Sequence, residues 1–410
     1  MKSFFDKHFI KIIIIFVILS PIIDLLTSLT IRYNIFSIGT ITRGIFLIFC
    51  LIYYFFFYNN NKKILLFLIL IFIYIILFSI NNYSYTNISN CIKAFYYPIL
   101  LLILLDINKK NHINFKTDYF IIIIVTYLML IYIPNITNTG FNSYLDTKLG
   151  STGWFYSSNE ISGIISLLVV LLIYKTFNNN YNQYFKIFMY ISLLILLYVS
   201  LTIGTKSIIL SIGISAIFLI IIYLTSLIKR KKIIIFTSIL SSILIGSIIF
   251  ITYIIPNTTF YKNINIHLDY LEQDSISSIF KDGALIDHFI FSSRIKFLND
   301  TKDIYEIDTF YNKLIGIGYE KSTKMIEMDY YDILFRHGII GFILYNILVL
   351  SFKNIKKLKT ETKCLLLSLL LSIILSLFTG HIIINPAVST ILIFIIISLI
   401  NQLKELPCKQ

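Results

Sequence analysis

The chain has 410 residues, of which 57% are hydrophobic and 14% charged, and its mean hydropathy is +0.83. A soluble domain carries about a quarter charged residues, so a water-soluble globular fold is excluded. The net charge of +14 is large enough for a nucleic-acid binder, but the Lys and Arg stand mostly in short segments between apolar runs, where they set membrane topology. No nucleic-acid partner is expected. The four cysteines, Cys50, Cys91, Cys364 and Cys408, show no CxxC and no metal spacing and read as packing residues.

In chain order, Lys2, Lys7 and Lys11 precede an apolar stretch from Ile12. No small-residue cleavage site follows, and Pro21 and Asp24 lie inside the run, which reads as a retained first span. Apolar runs of about 18 residues or more mark spans. They fall at 12–31, 38–57, 64–81, 91–107, 118–134, 159–175, 184–203, 206–228, 233–255, 329–351, 362–379 and 382–400. Backbone groups in lipid must be satisfied within the segment, so these are helices. The expected fold is an all-α polytopic membrane bundle of about twelve transmembrane helices. Residues 1–255 hold the first nine, 256–328 form one long external loop, and 329–410 hold the last three.

Lys and Arg alternate between connections. One set holds the N-terminus, Lys62-Lys63, Lys109-Lys110, Lys175 with Lys186, "KRKK" at 229–232, Lys353 to Lys363, and the C-terminus. The other short connections hold little. This predicts both termini in the cytoplasm and 256–328 outside. Within that loop, "IHLDYLEQDSISSIFKDG" predicts a short helix. "SSRIKFLNDTKDIYEI" predicts another, with Ser292 or Ser293 as N-cap.

Ionisable groups recur at the outer ends of the spans: Asp24, Arg43, Lys93, Asn159-Glu160, Lys206, Asp329, Asp332, Arg336, His337 and His381. Each has a plain structural role to weigh. Asp24 pairs with Arg43, Lys93 snorkels to the interface, Lys206 flanks a turn, and His381 is an interfacial histidine. The acids near 327–332 tie the loop to the bundle through Arg294 or Arg336. As a set, Arg43, Lys93, Lys206 and Arg336 fall at similar depth on one side. Intramembrane charges mark a cavity or substrate path, and clustered cations call for an anion. A lipid diphosphate fits, with Arg forming forked contacts and Lys a point charge.

Four stretches carry a resemblance: "GSTGWFYSSNEISGIISLLVVLLIY", "YVSLTIGTKSIILSIGISAI", "SSRIKFLNDTKDIYEIDTFYNKLIGIGYE" and "EMDYYDILFRHGIIGFILYN". With its topology, the chain resembles the O-antigen polymerase and O-antigen ligase superfamily of bacterial membrane glycosyltransferases. The third stretch matches a family pattern of Ser-Arg followed by Gly-x-Gly, and brings forward Arg294, Gly316 and Gly318. In the ligase branch a histidine stands at a set spacing before a Gly-x-x-Gly. At that spacing before Gly338 and Gly341 this chain has Glu327, a departure that suits a polymerase.

The resemblance implies transfer of a glycan from undecaprenyl diphosphate to a sugar hydroxyl on another lipid-linked repeat, at the outer face of the cytoplasmic membrane. The alternatives are a ligase that moves finished glycan to an acceptor, and a flippase. A flippase would carry charges through both leaflets, whereas the inner halves of these spans are almost uncharged. Under the polymerase reading, Arg294, Glu327, Asp329, Arg336 and His337 are the catalytic candidates. Glu327, Asp329 and Asp332 are candidate general bases, with His337 as an outsider. Arg43, Lys93 and Lys206 bind the diphosphate; Asn159, Glu160, Gly316, Gly318, Asp332, Gly338, Gly341 and His381 support the site. Cations of the protein stabilise the leaving charge. The long loop has no distinct DxD, so neither metal nor cofactor is expected. The implied partners are the lipid-linked glycans, membrane lipid, a chain-length regulator and a flippase.

Overall fold

The structure is a computed structural model, and it describes residues 2–58, 61–143, 150–178, 181–229, 256, 258–271, 276–321, 324–346 and 358–404. The described residues contain helices and no strand; one isolated bridge joins Phe141 and Gly153. Nine described helices are long and apolar enough to cross a membrane, and a bent pair makes a tenth. The chain is therefore an all-α, multi-pass membrane protein. The span predicted at 233–255 lies outside the described residues, as does the end of the one predicted at 329–351.

The chain divides into two compact units, Met1–Ile123 with Gly283–Gln410, and Ile124–Asp282. The first contains α1 (Lys2–Ile18), α2 (Ser20–Arg32), α3 (Ile38–Ile52), α4 (Lys62–Asn81) and α5 (Tyr85–Asn111). The division falls within α6 (Thr117–Ile136). The second unit holds the rest of α6, α7 (Ser158–Thr176), α8 (Gln183–Ile203), α9 (Lys206–Lys229), α10 (Thr259–Tyr270) and α11 (Ile276–Ile279). The first resumes with α12 (Gly283–Phe291), α13 (Arg294–Ile307), α14 (Phe310–Ile315), α15 (Asp329–Tyr345), α16 (Thr360–Phe378) and α17 (Pro386–Lys404).

The predicted first span is two helices bent by 53°. The cause is local: Pro21 lies in the first turn of α2, where its missing N–H costs no intrahelical bond, while it ends the helix before it. α5 starts six residues before its predicted boundary because Ser84 caps it, accepting from Asn87 N–H at 3.1 Å.

In the first unit, α5 and α17 are mostly buried, and α5 packs on α3, α4 and α17. α4 turns Leu66, Ile69, Ile73, Ile76 and Ile80 outward, as a lipid-facing helix does. In α16, Ser368, Ser372 and Ser376 form a buried stripe; small residues let membrane helices approach closely. In the second unit α7 is buried along nearly its whole length and packs on α8 and α9.

Between α10 and α14 the described residues of the long connection form α11, α12 and α13, where two of its stretches predict helix. Ser293 is the N-cap position of α13, but its side chain makes no capping bond there. The Asp287 carboxylate, from α12, accepts the N–H groups of Ile295 and Lys296 at 2.9 and 3.0 Å instead. A carboxylate also suits the positive end of a helix better than a hydroxyl does.

Candidate functional site

The site is organised by a break in α15. Gly338 has φ 64° and ψ −175°, a conformation essentially restricted to glycine. Carbonyls just before such a break lose their helical donors. Here those of Phe335 and Arg336 accept the N–H groups of Ile317 and Gly318 at 3.2 and 3.1 Å. Side chains have no room at this splice. A Cβ on Gly338 would stand 2.5 Å from Leu314 O, and one on Gly316 would run into the backbone of Arg336 and His337. A Cβ on Gly341 would stand 2.6 Å from the Tyr74 hydroxyl. The spliced segment is also held by asparagines at the end of α4 and start of α5. Asn82 Nδ2 donates to Gly316 O at 3.3 Å, and Asn87 Oδ1 accepts Tyr319 N–H at 2.5 Å. Gly316 and Gly318 thus meet the later Gly338 in one backbone joint.

Arg336 lies inside this joint with no exposed surface. Its Nε donates to Asp332 Oδ1 at 3.0 Å, Nη1 to Gly318 O and Tyr319 O at 3.3 Å each, and Nη2 to Lys324 O at 3.1 Å. The Asp332 carboxylate also accepts the N–H groups of Ile326 and Met328. Arg336 therefore spends its fork on the loop that precedes its own helix. Asp329 is equally committed. Its two oxygens accept the N–H groups of His381, Ile382 and Ile383 at 2.6, 2.8 and 2.7 Å, pinning the connection between α16 and α17.

Arg294 and Glu327 form a second pair, with Nη2 to Oε2 at 2.9 Å, and this one is partly open: the side chains are 12% and 32% exposed. Arg294 Nη1 also donates to Phe378 O at 3.4 Å, while its buried Nε has no hydrogen-bond partner among the described residues. Ser292, Ser293, Glu327 and His381 all have positive φ, a left-handed conformation that costs non-glycine residues energy and gathers at functional sites.

Next to these groups lies a cavity of about 160 Å³, lined by Asn90 and Lys93 of α5, Tyr319, Met325 and Asp332, and the His381–Pro386 connection. The Lys93 ammonium has no hydrogen bond or ion pair with any described residue. A second cavity of about 190 Å³ is lined by Tyr97, Tyr330, Tyr345, Asn346, Ser372 and apolar residues of α16 and α17. Lys93 and Tyr97 are four residues apart on α5, hence on one helix face and about 6 Å apart along the axis. Ile383 and Ile384 belong to the two cavities in turn.

His337 is wholly buried between Tyr74, Phe78, Phe95 and Tyr319. Its Nε2 is 2.8 Å from the Tyr319 hydroxyl and its Nδ1 3.3 Å from that of Tyr74. Burial holds the Tyr319 phenol well above its usual range, so it stays protonated. Sequence reasoning missed Tyr319, Asn82, Asn87 and Asn90; the signal within reach was Tyr319's place directly after Gly-x-Gly.

The remaining candidates have other partners and positions. Arg43 is buried and paired with the Asp24 carboxylate, joining α2 and α3. Asn159, Glu160 and Lys206 belong to the second unit. There Ser157 caps α7 by accepting Glu160 N–H at 3.3 Å, and Lys206 is the exposed first residue of α9, after a left-handed Gly204. The glycine-rich stretch is bound to the α8–α9 turn region: Ser151 N–H donates to Thr202 O at 2.9 Å, and Ser162 meets Thr205 at 2.7 Å. Among the described residues no three His, Cys, Asp or Glu side chains converge in a metal-binding group.

The first unit thus defines a polytopic membrane protein with a helix break, a buried charge network and a cavity into whose wall Lys93 is set without an ion pair among the described residues. A family model described as O-antigen ligase like membrane protein matches residues 6–282 and 281–406. The chain belongs to that family, a class of membrane glycosyltransferase-type enzymes of glycan polymerisation and ligation that act on lipid-linked glycans. Comparison with curated proteins gives no match, and neither does comparison with solved structures.

Proposed function

We propose that the protein polymerises oligosaccharide repeats carried on undecaprenyl diphosphate into a surface polysaccharide, at the outer face of the bacterial cytoplasmic membrane. The observation that carries this reading is Lys93: an ammonium with no hydrogen bond or ion pair among the described residues, in the wall of one cavity and one helical turn from Tyr97 in the wall of a second. That juxtaposition suits a ligand with an anionic head and a hydrocarbon tail. The diphosphate lies against Lys93, and the first isoprene units run past Tyr97. As the bond between anomeric carbon and phosphate oxygen breaks, negative charge grows on the diphosphate. A fixed cation stabilises that state more than the ground state.

The Arg294–Glu327 pair borders the same wall, because Arg294 reaches Phe378 O and a Cβ on Gly380 would meet the Glu327 backbone. Glu327 in the place of the ligase histidine favours transfer to another repeat over transfer to a different acceptor. The protein's own cations serve in place of a metal ion. The termini are cytoplasmic and the α12–α14 segment faces outward, as the Lys/Arg alternation predicts.

The test is transfer by purified protein in lipid nanodiscs supplied with lipid-linked repeats. Lys93→Met is expected to lose most donor binding and polymer while keeping protein abundance, and Lys93→Arg to retain part of both. Undiminished polymer from Lys93→Met sinks the donor site. Single repeats accumulating in cells on deletion support a polymerase, and full-length unattached polymer supports a ligase.

A further inference from the structure

Tyr319 is set in the wall of the cavity that Lys93 lines, and behind it lies a buried imidazole. Tyr74 Oη lies 2.8 Å from His337 O and 2.9 Å from Ile315 O. The Tyr74 hydroxyl has one proton, and it is used on one of these carbonyls. Toward His337 Nδ1, at 3.3 Å, Tyr74 therefore presents only lone pairs, so Nδ1 carries the imidazole proton. That leaves Nε2 bare, 2.8 Å from the Tyr319 hydroxyl, which donates to it. His337 is fully buried and does not line the cavity, whereas Tyr319 does. Tyr319 thus stands between the cavity and the imidazole.

We infer that Tyr319 is the catalytic residue that accepts the proton of the attacking sugar hydroxyl, passing its own proton to His337 Nε2. The inference rests on the glycan-transfer reading above. In the step, the acceptor O–H proton moves to Tyr319 Oη as the Tyr319 proton moves to Nε2. The acceptor oxygen bonds to the anomeric carbon, and the bond from that carbon to the diphosphate oxygen breaks, the diphosphate leaving with the electron pair. The imidazolium then holds protons on both nitrogens and returns one through Tyr319 after product leaves. No metal and no further reactant enters. Arg336 stands over the Tyr319 ring, its guanidinium carbon 5.0 Å from the ring centroid. That cation favours the electron-rich ring of a phenol in transit toward phenolate. The arrangement also assigns the carboxylates: Asp329 and Asp332 are fully engaged by backbone and Arg336, and the shuttle relieves them of the base role.

Tyr319→Phe keeps the ring and its place over Arg336 and removes only the hydroxyl. In nanodiscs with lipid-linked repeats, this variant is expected to bind donor as the wild type does and to lower kcat by about 10²–10⁴-fold, the usual share of a general base. Replacing Tyr319 with 3-fluorotyrosine, nearly the same size with a more acidic phenol, is expected to change the rate without changing donor binding; a purely structural phenol would not respond. Tyr319→Phe turning over within about threefold of the wild type overturns the inference, as does a fluorotyrosine protein with an unchanged rate where Tyr319→Phe fails to accumulate. If the wild type itself transfers no glycan from any lipid diphosphate, the transfer reading falls and takes the shuttle with it.

Discussion

Arg336 and Asp332 close on each other one helical turn apart, Nε to Oδ1 at 3.0 Å, with side chains 1% and 4% exposed. Breaking such a buried pair from one side leaves an uncompensated charge and costs about 3–5 kcal/mol. Arg336→Gln is therefore expected to lower membrane abundance and the Tm in detergent. Asp332→Asn in the same chain should restore part of both, since it removes the stranded charge. Arg336→Lys should also be damaging, because an ammonium cannot span Asp332 and the carbonyls of Gly318, Tyr319 and Lys324 together. Thermal-shift and immunoblot measurements on the three variants check this.

Arg294 presents the contrasting case. Its pair with Glu327 is partly open, and ion pairs near a surface contribute about 1 kcal/mol or less to stability. Arg294→Gln is expected to leave abundance close to normal and to reduce polymer by about a hundredfold to a thousandfold, the loss associated with one transition-state donor. Glu327→Gln added to it should not restore activity. Polymer of normal length from Arg294→Gln would assign this arginine to architecture.

Gly338→Ala tests the helix break. The backbone conformation is unavailable to alanine, and its methyl would meet Leu314 O at 2.5 Å. A marked fall in Tm is expected, together with faster hydrogen exchange at Ile317 and Gly318, whose N–H groups bond across the break. Gly213→Ala in α9 is the control, since nothing lies within 4 Å of the added carbon. It should be neutral or stabilise by up to about 1 kcal/mol, the helix preference of Ala over Gly.

Acid should loosen the connection around α14. Burial alone would raise the Asp308 carboxyl, but hydrogen bonds from Lys321, Asn312 and the Thr309 N–H outweigh it and hold the group below its usual 3.8. A depressed carboxyl contributes stability that is present above the ordinary value and lost as pH falls through the folded value. Hydrogen exchange over 308–321 is therefore expected to accelerate below about pH 4, while Asp308→Asn is expected to remove that acid-dependent step.

Most of the spans were legible because apolar runs and lysine-bearing connections are properties of the chain itself; the one predicted at 329–351 is instead a 17-residue helix with a break at Gly338 over its described part. The glycines of the joint were legible too, as Gly-x-Gly and Gly-x-x-Gly. That they meet was not, since the hydrogen bonds from Ile317 and Gly318 to Phe335 and Arg336 leave no trace in residue type. The charged residues show the same limit. Arg336 and Asp329 stand out in any sequence reading, yet only their geometry reveals how fully protein groups occupy them. Tyr319 is one tyrosine among 29 and gains its significance solely from the imidazole behind it.

The partners of α15 are synthesised at different times. The 316–318 segment and the asparagines of α4 and α5 precede it on the ribosome, so the carbonyls freed at Gly338 find donors as soon as the helix emerges. Asp329 must wait. Its three amides come from His381, Ile382 and Ile383, about fifty residues later, after α16 has been made. Until that final hairpin arrives, the Asp329 carboxylate stands without its cradle, so this part of the fold closes only once the connection leading into α17 has been made.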